Sequence, residues 1–119
     1  MKDPKNADLL LRTKATALRA IRLCASLPKT REGDVLGRQV LRSGTSVGAN
    51  YREANRSRSR AEFSAKVGDS LKELSESSYW LELLQESEVF KSNLLPGLLN
   101  ECNELTAIFT TIHKKARAS

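Results

Sequence analysis

Four stretches of this sequence carry apolar residues three or four positions apart, with short breaks between them. That spacing limits the chain to helices that bury one face each. The first stretch covers about residues 8–26, with Leu11, Ala15, Leu18, Ile21 and Ala25 as its expected inward stripe. Leu27-Pro28-Lys29-Thr30 ends it, because Pro28 disfavours a helical Leu27 and Thr30 suits the N-cap of the next helix. The second stretch, 31–55, has Leu36, Val40, Ser43, Val47, Tyr51 and Ala54 in phase. The third, 60–87, follows a Ser59-x-x-Glu62 capping box and repeats through Phe63, Val67, Leu71, Leu74, Ser78, Leu81 and Leu84. The fourth, 93–116, tolerates Pro96 in its first turn and continues through Leu95, Leu98, Cys102, Leu105, Phe109 and Ile112. Lys114, Lys115 and Arg117 close it, where the helix dipole favours cations.

No stretch alternates cleanly, and no Asn-Gly or Asp-Gly hairpin turn occurs. Aromatic residues are 5% of the chain and prolines number three, which argues against a sandwich or barrel. The expectation is an all-α protein: one antiparallel up-down-up-down four-helix bundle filling all 119 residues. No apolar run approaches the roughly 20 residues that span a bilayer, and Met1-Lys2-Asp3-Pro4 precedes no secretory h-region. A cytoplasmic protein with no membrane partner is expected.

The second helix holds an unusual density of glycine. Gly37, Gly44 and Gly48 share one side of it, and each costs about 1 kcal/mol relative to alanine inside a helix. Close approach of another helix, within the chain or from a second subunit, would repay that cost. The alternative is a kink or loop at Ser43-Gly44-Thr45-Ser46, although the apolar phase runs unbroken from Val40 to Ala54. A phosphate-binding loop does not fit, because its lysine is missing and no strand precedes it.

Charge is distributed unevenly. The net charge is +6, but residues 1–60 hold 14 Lys/Arg against 5 Asp/Glu, while residues 61–119 hold 6 against 9. A basic first half attracts phosphate polymers through counterion release. It equally suits a solvated helical surface, or an acidic partner. Cys24 and Cys102 fall on helical stripes with no C-x-x-C pairing, and with one histidine in the chain they offer no metal site. No cofactor and no metal are expected.

Two segments carry a resemblance. Leu27-Pro28-Lys29-Thr30 with the run from Val35 to Asn50 (VLGRQVLRSGTSVGAN), and the run from Leu71 to Leu84 (LKELSESSYWLELL), resemble the "four helix bundle protein" family. It is also called the ribosomal RNA intervening-sequence protein family, since some members are encoded inside insertions of the large-subunit rRNA gene. The resemblance covers about residues 8–116. It implies a four-helix bundle that assembles into a homopentamer. The accessory protein of diversity-generating retroelements is similar in fold and assembly, and that protein is basic and works beside a reverse transcriptase and nucleic acid. Arg42, Ser43, Ser46, Gly48, Asn50 and Glu53 match the family's helix-two motif, and Lys72, Glu73, Glu76, Tyr79 and Trp80 its helix-three motif. Where the family often has an acidic residue straight after Ala-Asn-x, this chain has Arg52 before Glu53.

These readings assign provisional roles. Arg38, Arg42, Arg52, Arg56, Arg58 and Arg60 are the candidate contacts to RNA or DNA phosphates, with no base-specific recognition implied. Gly44, Gly48, Asn50, Tyr79 and Trp80 are the candidates for helix or subunit packing, Asn50 by an interhelical bond that fixes register. For Tyr79 and Trp80 a stacking platform for bases is the weaker alternative to packing. Lys72, Glu73 and Glu76 read as surface ion pairs, with Arg42 or Arg38 opposite; partner binding and acid–base chemistry are the weaker alternatives. The functional expectation is a non-enzymatic, oligomeric, nucleic-acid-associated scaffold. The rival is an adaptor docking an acidic or nucleic-acid-processing protein such as a reverse transcriptase.

Overall fold

The computed structural model describes residues 4–118 as four helices: α1 (Pro4–Ser26), α2 (Arg31–Asn55), α3 (Arg60–Glu86) and α4 (Leu94–Arg117). They form the up-down bundle that the periodicity predicts, 46 × 21 × 19 Å. Each helix packs on the next, and α4 closes the ring on α1 along a sparser seam. α1 begins a turn earlier than its apolar pattern, at a proline, which is well tolerated at a first helical position.

The breaks are capped as their residues dictate. The Thr30 hydroxyl accepts from the Gly33 amide at 3.0 Å, and the Ser59 hydroxyl accepts from the Glu62 amide at 3.1 Å. Glu62 reaches back one residue further than a capping box requires, accepting from the Arg58 amide at 3.3 Å. Asn93 caps nothing with its side chain; Ser92 Oγ accepts from the Leu94 amide instead.

The stripes of α2, α3 and α4 point inward, except that in α3 Ser77 rather than Ser78 is buried. Val40, Val47, Val67, Leu74, Leu81, Leu84, Leu98, Leu105 and Phe109 are fully buried. Each such aliphatic or aromatic side chain contributes about 1.5–3 kcal/mol by leaving water. α2 is continuous through all its glycines, so no kink forms at Gly44.

In α1 the expected stripe is on the wrong face. Leu11, Leu18 and Ile21 are 69%, 43% and 46% exposed, and Ala15 and Ala25 are exposed too. The buried line is Leu9, Thr13, Thr16, Ala20 and Leu23. The glycines of α2 explain this. A Cβ added at Gly44 would lie 2.9 Å from Ala20 Cβ, one at Gly48 3.2 Å from Thr13 Oγ1, and one at Gly37 2.8 Å from Leu27 Cδ1. Backbones that approach this closely need small residues on the facing helix, so α1 turns Thr13 and Ala20 inward. The buried hydroxyls cost little, because Thr13 donates to the Leu9 carbonyl at 2.8 Å and Thr16 to the Arg12 carbonyl at 3.0 Å. Gly44 and Gly48 therefore face the chain's own first helix, and Gly37 faces Leu27 just past its end.

Buried serines join α2 to α3. Ser77 Oγ donates to Ser43 Oγ at 2.8 Å, and Ser70 Oγ donates to the Val47 carbonyl at 2.9 Å. These bonds hold the register expected of Asn50, which is half-buried and makes no side-chain hydrogen bond among the described residues. Across the α1–α4 seam, Arg12 donates Nε and Nη2 to the Glu101 carboxylate at 2.9 and 2.8 Å and also reaches Glu104 at 3.2 Å. The bidentate contact raises the guanidinium pKa above its ordinary value, against the lowering effect of burial.

Candidate nucleic-acid interface

The six arginines singled out in the sequence do not form one group. Arg42 donates to Glu73 Oε1 at 3.1 Å and closely to Glu76, so its charge is committed to two carboxylates of α3. The Glu76 hydrogen bond is the main cause of its raised pKa, with the Glu73 bond and both negative charges adding to it. Glu73 and Glu76 thus share one cation in a structural ion-pair cluster, and Arg42 is a poor candidate for holding phosphate. Next along the same seam, Lys66 pairs with Glu53 at 2.9 Å.

Arg38, Arg52, Arg56, Arg58 and Arg60 are exposed and make no ion pair among the described residues. Arg38 stands apart. At 1.5 Å rise per residue it lies roughly 20 Å up α2 from Arg52. The other four gather at one end of the bundle, around the last turn of α2 and the turn into α3.

Topology adds cations there that the sequence order conceals. In an up-down bundle the start of α1, the end of α2, the start of α3 and the end of α4 share one pole. Lys5 of α1, Arg60 of α3 and Lys115 of α4 accordingly line one cavity of about 810 Å³. Lys114 and Arg117 lie in the same last turn of α4 as Lys115. The fourth-helix cations suit the helix dipole, but their position beside Arg56, Arg58 and Arg60 makes a basic pole from both halves of the chain. The pattern that would have revealed them is the antiparallel pairing of α4 with α3, not the charge count by halves. Acidic residues interrupt this pole at Asp8, Glu53 and Glu62.

Tyr79 and Trp80 lie away from that pole, in the second half of α3. Their rings meet edge to face at 5.1 Å; Tyr79 is 55% exposed and Trp80 half-buried. Trp80 Nε1 is buried with no hydrogen-bond partner among the described residues. Gly44 and Gly48 face α1, as described above, and Asn50 is half-buried on α2.

Nothing else among the described residues gathers reactive groups. Cys24 donates Sγ–H to the Gly37 carbonyl at 3.2 Å, and Cys102 is buried among apolar side chains. Desolvation raises both thiols, and Cys102 is pushed up to about 12. No cluster of three or more His, Cys, Asp or Glu side chains placed to hold a metal occurs among the described residues. No described helix is long and apolar enough to cross a membrane.

Known proteins agree with this architecture. The chain is similar to a crystal structure from Bacteroides thetaiotaomicron VPI-5482, that of a protein of unknown function from the S23 ribosomal protein family. The TM-score is 0.84 at 35% identity, over 92% of this chain and 98% of that one. No curated protein matches. The model of one family, described as 23S rRNA-intervening sequence protein, matches residues 5–111. With a match that spans all four helices, this chain belongs to the 23S rRNA-intervening sequence protein family.

Proposed function

We propose that this protein is a non-enzymatic, homo-oligomeric scaffold that associates with RNA or DNA through the basic pole of its bundle. The carrying observation is that Arg52, Arg56, Arg58 and Arg60 are exposed and unpaired among the described residues, at the end that Lys114, Lys115 and Arg117 also occupy. Such a cluster attracts phosphates whatever the base sequence, by displacing condensed counterions. Arg38 is a peripheral contact at most, and Arg42 is not one.

Self-association is supported by the outer face of α1. Leu11, Leu18 and Ile21 run along it, and Leu41 of α2 adds a fourth exposed large apolar residue. Exposed apolar side chains in line along one helix face suit contact with further copies. The resemblance to ring-forming bundle proteins makes a pentamer the expected stoichiometry.

The test is a salt titration of binding to RNA and DNA, with wild type beside an Arg56→Glu, Arg58→Glu, Arg60→Glu triple variant. Affinity should fall steeply with salt, and the variant should lose it while keeping its helicity and oligomeric mass. Absence of binding at low salt would refute the electrostatic role. If the variant instead loses only a captured protein, such as a reverse transcriptase, the adaptor reading takes its place.

A further inference from the structure

We propose that the cavity at the basic pole receives one unpaired nucleotide of a bound strand, its base among the apolar walls and its phosphate at Arg60. This rests on the nucleic-acid reading above and narrows it to a substrate class: strands with unstacked bases.

The cavity, about 810 Å³, falls within the size range of small-molecule sites. Its apolar lining comes from three helices: Leu9 of α1, Phe63 of α3, and Ile108 and Ile112 of α4. Phe63 is half-buried, so its ring meets both the core and the opening. The cations Lys5, Arg60 and Lys115 share the lining, opposed by one carboxylate, Asp8. A planar apolar ring carrying an anion has the complementary chemistry. Thr111 adds a hydroxyl to the wall, beside Tyr51, whose own hydroxyl donates to Asn6 Oδ1.

The surroundings favour a strand over a free small molecule. Arg56 and Arg58 precede Arg60 in the turn, and Lys114 and Arg117 flank Lys115. A single anion would leave those cations unused, whereas phosphates on either side of an inserted nucleotide would meet them. A paired duplex cannot supply the ring, because its bases are stacked within the helix. The α1–α4 seam is also where helix packing is sparsest, which leaves room for the opening.

The test fills the cavity without touching a cation. Thr111 is exposed and Ala116 half-buried, and both line the cavity, so Thr111→Trp and Ala116→Trp are the variants to make. Affinity for a short single-stranded RNA should drop about tenfold, while affinity for a long duplex, where ends are few, should not change. In the wild-type protein the single strand should also shift the NMR methyl signals of Ile108 and Ile112, a readout that needs no variant to fold. Equal single-strand binding by well-folded variants, or still methyl signals at saturation, would overturn the proposal. So would a free mononucleotide binding as tightly as the strand, or an acidic aromatic peptide shifting the methyls where RNA does not. If both nucleic acids bind with a salt dependence and only these readouts fail, the basic pole stands and the cavity assignment falls.

Discussion

Gly44 of α2 and Ala20 of α1 meet so closely that a Cβ placed on the glycine would lie 2.9 Å from the alanine's own Cβ. Two methyl groups do not fit there. Gly44→Ala gains about 1 kcal/mol of helix propensity but forces the two helices apart, and overpacking of this kind costs about 1–3 kcal/mol. Net destabilisation by chemical denaturation is expected, with much larger loss for Gly44→Leu. Adding Ala20→Gly to Gly44→Ala should restore part of the deficit, and a double-mutant cycle with no coupling would refute the contact.

Arg42 tests the division between structural and available arginines. Its removal leaves Glu73 and Glu76, one turn apart on α3, without the cation they had shared. Arg42 is 48% exposed, so the expected cost of Arg42→Ala is at most about 1 kcal/mol. Nucleic-acid affinity should hold or rise slightly more than a matched Arg56→Ala allows. Equal loss of affinity in the two variants would return Arg42 to the interface.

The outer face of α1 predicts a separation of folding from assembly. Leu11→Glu with Leu18→Glu changes exposed positions, for which effects on the fold are usually within about 0.5 kcal/mol each. Light scattering should report a smaller particle, while circular dichroism and the denaturation midpoint of the single chain are retained. An unchanged mass would move the assembly contact to another surface.

Cys102 contributes a pH dependence at the alkaline end. Burial raises its pKa from 9.0 to about 12, so the unfolded chain loses the thiol proton first as pH rises. The folded state's advantage is complete below pH 9.0 and is lost progressively toward about 12. Cys102→Ala should flatten that part of the stability profile, at the cost of a small cavity. Thiol reagents should modify Cys102 only as fast as the protein opens.

Much of this was legible in the residues. One apolar stripe is available on each of α2, α3 and α4, and the bundle buries it. Thr30 and Ser59 mark helix starts because their hydroxyls satisfy amides that have no partner in the helix. The Arg42 pairing with Glu73 and Glu76 was foreseeable as opposite charges on facing helices. By contrast, Ser70 and Ser77 lie off the stripe read for α3, yet with Ser43 and Val47 they make the buried bonds between α2 and α3.

The sequence by itself determined the number of helices, the breaks between them and the inward faces of three of them, since local capping and a single apolar periodicity leave no choice. The tertiary structure decided the rest. α1 offers two stripes, and the larger apolar one loses because α2 presents glycines that admit only Thr13 and Ala20 at close range. The basic pole, likewise, exists only in space: antiparallel packing sets the end of α4 beside the turn between α2 and α3, joining cations some fifty residues apart in the chain.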